Sequence, residues 1–160
     1  MPSNHFDDEG RAWMVDVSGK EPTMRSAEAE TSVQLGPELL AQVTARTVGK
    51  GDVLGVARLA GIGAVKRTDE LIPLAHPLSL HHAAVDFVTD NRDGTVRVLC
   101  RVRAYERTGV EMEAMVGASI AALAIYDMCK GQDKGITIGP TRLLWKEGGK
   151  SGIYRREEEG

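Results

Sequence analysis

The chain has 160 residues, a formal net charge of −3 at pH 7, and a composition that is 42% apolar but only 4% aromatic. This length suits one domain with a real core, and the acidic balance argues against a nucleic-acid binder, which would carry a basic excess. Cys100 and Cys129 form no disulfide or metal spacing, and no uncharged apolar run reaches the roughly 18 residues of a membrane span. We therefore expect a soluble cytoplasmic protein with no membrane partner.

The first half of the chain predicts one strand followed by two helices. Apolar residues alternate with polar ones over residues 29–35, which indicates a half-buried strand. Pro37 is placed to open a short helix that stops before Gly49, and Asp52 is placed to cap a second helix. Prolines at both sides of His76 then predict an ordered loop.

The second half predicts a hairpin, a long helix and a final strand. Residues 82–88 and 95–104 alternate in polarity on either side of a turn at 91–94, as the two strands of a hairpin do. The uncharged run 114–126 predicts a helix that is buried nearly all round, in a core or an interface. Residues 136–145 predict the last strand, interrupted by a Gly-Pro pair.

This order of elements matches the split βαβ ferredoxin-like plan with one additional helix, and the predicted class is therefore α+β with an antiparallel sheet. Helices should cover one face of the sheet, and we expect the other face to contact another subunit. Residues 1–13 are predicted to be a flexible segment, residues 14–152 a single domain, and residues 153–160 a charged, frayed tail.

Ionisable residues stand at both ends of the long helix. Glu111 and Glu113 precede the uncharged run, while Asp127 and Lys130 follow it on one helical face. About 21 Å would separate Glu113 from Asp127 at 1.5 Å per helical residue, so one small substrate could not contact both ends. If both ends serve one site, they belong to different subunits. Unrelated roles for the two ends would also satisfy the sequence.

Two other motifs carry weaker signals. Residues 148–151 read GGKS, but Leu144 stands where a phosphate-binding loop needs glycine, which leaves a glycine turn over phosphates or a solvated arm. His81 and His82 are adjacent, so on a strand they face opposite sides, and no Cys or carboxylate completes a set with His76. No metal site is predicted.

Five motifs occur in order: MVDVSGKEPTMR, KGDVLGVARLAGIGAVKRTDELIPLAHPL, TGVEMEAM, IYDMCK and GGKSG. Together they resemble the MoaC family over residues 14–152. The resemblance implies an enzyme of molybdenum cofactor biosynthesis that converts (8S)-3′,8-cyclo-7,8-dihydroguanosine 5′-triphosphate to cyclic pyranopterin monophosphate and releases pyrophosphate. It also implies a homohexamer, a trimer of dimers with active sites at the dimer interface.

The resemblance further implies the site residues. The catalytic positions fall on Asp127, Lys130 and Lys50. The substrate-binding positions fall on Leu74, Ala75, His76, Met112 and Glu113, with Glu111 and Arg25 in support and Lys146 and Arg67 as weaker candidates for phosphate contacts. The family usually has cysteine where this chain has Ala75, so a thiol cannot be essential here.

The implied chemistry needs general acid–base groups and fixed positive charge. We expect Lys50 and Lys130 to lower each other's pKa, and Asp127 to orient Lys130. No resident cofactor is implied, although Mg²⁺ could accompany the triphosphate. The alternative interpretation is a nucleotide-binding sensor of ferredoxin-like fold with no catalytic activity, which would need the basic groups but no tuned acid–base pair.

Overall fold

The computed structural model describes residues 5–158 and confirms the predicted α+β class. The strands are β1 (Thr23–Gln34), β2 (Leu80–Asp90), β3 (Thr95–Glu106), β4 (Thr137–Ile138), β5 (Arg142–Glu147) and β6 (Tyr154–Arg155). The helices are α1 (Pro37–Thr44), α2 (Val53–Val65), α3 (Thr68–Leu71) and α4 (Glu111–Cys129). The sheet is antiparallel in the order β2-β3-β1-β5-β6, with β4 also paired to β1. Strands β2, β3, β1 and β5 have the ferredoxin-like arrangement.

The central pair of the sheet is β1 with β3. The two strands pair along their whole length, from Thr23 opposite Glu106 to Gln34 opposite Thr95. The apolar positions predicted to point inward on β3 are all buried, and its arginines are exposed, as the alternation indicated. Strand β1 begins six residues before the predicted start at residue 29 because β3 offers a partner along that whole stretch.

Local signals predicted two helix starts correctly. Pro37 opens α1, and Asp52 caps α2 by accepting a hydrogen bond from the Gly55 main-chain N–H at 3.1 Å. Helix α1 ends at Thr44, before Gly49, as predicted. The short helix α3 was not predicted; it is a single turn in front of the proline loop.

Helix α4 packs on the sheet and against α2. Gly61 and Gly117 allow the close approach of these helices, because a Cβ atom on Gly61 would lie 2.9 Å from the Gly117 carbonyl oxygen. By length and composition alone α4 could cross a membrane, but half of its apolar window is buried inside the chain. Within one chain α4 is not buried all round, because Leu123 is 53% exposed, so the core alone does not provide the burial that was predicted in a core or an interface.

The face of the sheet opposite the helices carries a network of ion pairs. Glu30 is buried between Arg97 and Arg142, and its carboxylate lies 2.8 Å from the Arg142 guanidinium. Glu28 pairs with Arg101 at 2.7 Å, and the same guanidinium lies 5.8 Å from the centre of the Trp145 ring. Within one chain this face is therefore polar at its centre.

Both terminal segments make backbone contacts that the sequence did not indicate. Residues 154–155 pair with β5, and the Arg156 main-chain N–H donates to the Leu144 carbonyl at 2.7 Å, so this part of the predicted frayed tail is held to the sheet. Near the N-terminus, Phe6 and Ala12 form a β-bridge. Residues 1–4 and 159–160 of the predicted flexible ends lie outside the described residues.

Candidate active site

A cavity of about 630 Å³ lies at the N-terminal end of α4. The proline loop after α3 forms one wall and the first turn of α4 forms another. Six of the seven residues predicted to bind substrate line this cavity: Leu74, Ala75, His76, Glu111, Met112 and Glu113. Positions separated by more than 30 residues in sequence therefore meet around a space large enough for a small molecule.

Glu113 is the most perturbed carboxyl in this cavity. Its side chain is only 5% exposed, and burial raises the pKa of the Glu113 carboxyl to about 7. The negative charges of Glu111 and Asp69 raise this pKa further, whereas a hydrogen bond from the backbone N–H of Glu113 lowers it. Near neutral pH, Glu113 can therefore either donate or accept a proton.

The loop that carries His76 is fixed by backbone hydrogen bonding. The Ala75 main-chain N–H donates to the Ile72 carbonyl at 3.1 Å, which closes a turn directly after α3. His76 is half-buried, and its Nε2 lies 2.6 Å from the Val15 carbonyl oxygen. At Ala75 the cavity wall carries a methyl group.

The sequence-based prediction missed the N-terminal contribution to this cavity. His5, Val15, Val17 and Lys20 also line it. Residues 1–13 were predicted to be flexible because their composition carries no periodic pattern, and nothing local indicates a contact with residues 60 positions further along. Only the motif that begins at Met14 pointed to this segment.

The three predicted catalytic residues meet at the opposite end of α4. The Asp127 carboxylate lies 2.8 Å from Lys130 Nζ, as the spacing of three residues predicted. Lys50 lies in the connection between α1 and α2, and its Nζ donates to the Asp127 carbonyl oxygen at 2.9 Å. Two ammonium groups therefore flank one aspartate.

Two expectations about this cluster are wrong for the single chain. Asp127 and Lys130 are exposed, with side chains 64% and 49% accessible, so their location on an apolar helix does not bury them. The hydrogen bond and charge of Asp127 raise the pKa of Lys130, whereas the prediction was a lowered pKa. The pKa of Lys130 rises because the Asp127 carboxylate stabilises the protonated ammonium. In turn, Lys130 and, more weakly, Lys50 lower the pKa of Asp127.

Three predicted residues lie outside both clusters. Arg25 donates to the main-chain carbonyls of Glu106 and Arg107 at 3.3 Å and 3.1 Å and packs beside the glycine turn at 148–149. Lys146 donates to the Ser151 hydroxyl across that turn. Arg67 is the residue before α3 and does not line the cavity. The side chains of Arg25 and Lys146 therefore contact the end of the sheet and the C-terminal turn.

The two clusters lie at the two ends of one continuous helix. Because α4 runs unbroken from Glu111 to Cys129, Glu113 and Asp127 are separated by about 21 Å along its axis. Within residues 5–158, no group of three or more His, Cys, Asp or Glu side chains is arranged to hold a metal ion. The chain therefore offers a carboxylate-lined cavity at one end of α4 and a cationic cluster at the other.

Comparison with known proteins gives the family. The MoaC family matches residues 14–149, which is most of the chain and includes the residues of both clusters. The chain belongs to the MoaC family. The resemblance drawn from the five sequence motifs is therefore confirmed.

Full-length relatives of the MoaC chain carry one name. A protein of Geotalea uraniireducens (strain Rf4) is 67% identical over 159 residues, covering 99% of each chain, and is named cyclic pyranopterin monophosphate synthase. A protein of Geobacter sulfurreducens with the same name is 66% identical, again over 99% of each chain. A third, from Geobacillus kaustophilus, is 49% identical over 97% of each chain. The similarity extends over the whole length of each of these enzymes.

Proposed function

We propose that this chain catalyses the conversion of (8S)-3′,8-cyclo-7,8-dihydroguanosine 5′-triphosphate to cyclic pyranopterin monophosphate and pyrophosphate, in molybdenum cofactor biosynthesis. The observation that carries the proposal is 67% identity along the full chain to an enzyme of that name. The MoaC family is a family of enzymes, so the sensor without catalytic activity is set aside. The free thiols of Cys100 and Cys129 suit a reducing cytoplasm, where we place the reaction.

The two clusters divide the chemistry between them. A sugar hydroxyl must attack the α-phosphate while pyrophosphate departs, and the ammonium groups of Lys50 and Lys130 supply the positive charge that stabilises this leaving group. Because Asp127 raises the pKa of Lys130, Lys130 is protonated at neutral pH and acts as a proton donor or a fixed cation. Glu113, with a pKa of about 7, is suited to the proton transfers on the purine-derived ring.

The separation of the clusters supports a pocket shared between subunits. One small substrate cannot span about 21 Å, so the cationic cluster that acts on it comes from a second chain. We place this pocket at the dimer interface of a homohexamer arranged as a trimer of dimers. In a two-fold dimer each chain then contributes its cavity to one pocket and its cationic cluster to the other.

Single substitutions test the catalytic assignment. Lys50→Ala, Lys130→Ala and Asp127→Ala should each reduce pyrophosphate release from the cyclic nucleotide by about 100-fold or more, because each removes a general acid–base or charge-stabilising group. Lys134→Ala is the matched control, since this nearby lysine bonds Tyr126 through its main-chain carbonyl, which the substitution leaves in place. Near-normal turnover of the three catalytic variants would overturn the assignment.

Mixing variants tests whether the pocket is shared. Lys130→Ala has a defective cationic cluster and an intact cavity, whereas His76→Ala has a defective cavity and an intact cluster. Neither protein alone should therefore be active. If the two chains are co-expressed in equal amounts and pair at random, about one quarter of the pockets receive both intact halves. Activity should therefore return to about a quarter of the wild-type value in the mixture.

The control mixture combines Lys130→Ala with Asp127→Ala. Both changes lie in the same cluster, so every pocket in this mixture is defective and activity should not return. If the Lys130→Ala and His76→Ala mixture also stays inactive while mixed oligomers are shown to form, the pocket belongs to a single chain. That result would leave the catalytic assignment standing and overturn only the shared pocket.

A further inference from the structure

The segment of residues 13–20, here named the N-terminal strap, crosses the cavity and touches the body of the protein at few points. Its hydrogen bonds to the body of the protein include one from Nε2 of His76 to the Val15 carbonyl at 2.6 Å and one from Nε of Arg107 to the Lys20 carbonyl at 3.0 Å. On its other side lies a second hollow of about 640 Å³. With space on both sides, these two hydrogen bonds help to fix the position of the strap.

The bond to Val15 determines which nitrogen of His76 carries a proton. A main-chain carbonyl oxygen can only accept a hydrogen bond, so Nε2 must be the protonated nitrogen. Among the described residues no second hydrogen-bond partner is found at this ring. The neutral imidazole then has its lone pair on Nδ1, and His76 lines both the cavity and the second hollow.

We infer that the Val15 carbonyl of the N-terminal strap holds neutral His76 as the Nε2–H tautomer, so that His76 presents Nδ1 to the substrate as a hydrogen-bond acceptor. Val15 is then a positioning residue, acting through its main chain. The same hydrogen bond therefore holds the strap beside the cavity and determines whether His76 donates a hydrogen bond to the substrate or accepts one from it.

This polarity restricts what can lie against His76, an inference that rests on the proposed function. An acceptor at Nδ1 binds an N–H or O–H group and cannot bind a phosphate oxygen. The carboxylates of Glu111 and Glu113 line the same cavity and also disfavour phosphate. The ring and sugar of the substrate, which carry amino and hydroxyl donors, should therefore occupy the cavity, with the triphosphate directed to the cations of the partner subunit.

The tautomer can be measured without substrate or turnover. Nitrogen-15 solid-state NMR on the full chain labelled at histidine separates protonated from unprotonated ring nitrogens at any oligomer size. The protein has four histidines, so the spectrum of His76→Gln identifies the signals of His76 by their loss. At pH 8, we expect a protonated Nε2 and an unprotonated Nδ1. A neutral His76 with its proton on Nδ1 would overturn the inference.

A variant away from the cavity tests the role of the strap. Arg107→Ala removes the bond to Lys20, and Arg107 does not line the cavity. The loosened strap should give a mixture of the two tautomers and raise KM about five-fold, the effect of one lost hydrogen bond, with little change in kcat. Arg103→Ala is the control, because Arg103 is an exposed arginine on β3, the strand that ends directly before Arg107, and among the described residues it has no hydrogen bond to the strap.

The outcomes separate the two proposals. If Arg107→Ala leaves a single Nε2–H tautomer and an unchanged KM, the strap does not determine the state of His76 and the inference fails. If the NMR results are as expected but wild-type protein does not convert the cyclic nucleotide, the proposed function fails while the positioning of His76 stands. Circular dichroism of Arg107→Ala against Arg103→Ala verifies that both remain folded.

Discussion

Replacing Glu113 by glutamine should abolish much of the pH dependence of stability between pH 4.5 and pH 7. Burial raises the pKa of the folded Glu113 carboxyl from 4.5 to about 7, so in this interval the folded protein binds a proton that the unfolded chain has released. The free energy of unfolding that this group contributes is fully present below pH 4.5 and is lost as the pH rises to about 7. Glutamine has no charge to bury at any pH.

The magnitude follows from the two pKa values. The difference between 4.5 and about 7 corresponds to at most about 3 kcal/mol. At pH 8, Glu113→Gln should therefore be more stable than the wild type by up to about 3 kcal/mol, and at pH 4.5 the two proteins should be nearly equal. Glu113→Gln should also lose activity, because we assign this carboxyl to catalysis. The same substitution is therefore expected to raise stability and to lower activity.

Urea unfolding at matched protein concentration, repeated from pH 4.5 to pH 8, measures this difference. The control is Glu111→Gln, which removes a neighbouring carboxylate that is only partly buried, and it should alter the pH dependence much less. Parallel curves for wild type and Glu113→Gln across the whole range would show that Glu113 titrates normally, and the argument from burial would be refuted.

Two further predictions concern the core. Gly117→Ala should lower the free energy of unfolding by about 1–3 kcal/mol, because its Cβ would lie 2.5 Å from a Val65 methyl group and closer still to the Cys100 sulfur. The control is Gly63→Ala, which has nothing within 4 Å and should raise the free energy of unfolding by up to about 1 kcal/mol through helix propensity. Thermal unfolding compares the two variants. Burial raises the pKa of the Cys100 thiol from 9.0 to about 12, which lowers its thiolate fraction about 1,000-fold. Thiol reagents should therefore label Cys100 only when the chain unfolds. Rapid labelling of the native protein would contradict the burial of Cys100.

The fold was predictable where local signals agree with the final packing. Asp52 caps its helix and Pro37 opens another because capping and proline geometry depend on a few neighbouring residues. The alternation on β3 was equally clear. The early part of β1 was not, because Glu28 on that strand is stabilised by Arg101, which lies 73 residues further along the chain.

The sequence motifs indicated which candidate residues would lie together, but not their electrostatics. Six predicted substrate-binding residues line one cavity, and the three predicted catalytic residues meet in one cluster. The pKa of Lys130 went the opposite way to the prediction, since the 2.8 Å contact with Asp127 outweighs the effect of a second lysine. The contributions of His5 and Val15 depend on contacts across more than 60 residues, which no local pattern records.

The length of helix α4 also sets the relative orientation of its two ends. Each residue added to a helix turns everything beyond it by about 100° and advances it by about 1.5 Å. One inserted residue near Ser119 would leave Glu113 in place and rotate Asp127 and Lys130 about a quarter of the way round the axis, away from Lys50. The number of residues between the two ends of α4 therefore fixes how the cavity and the cationic cluster are oriented relative to each other.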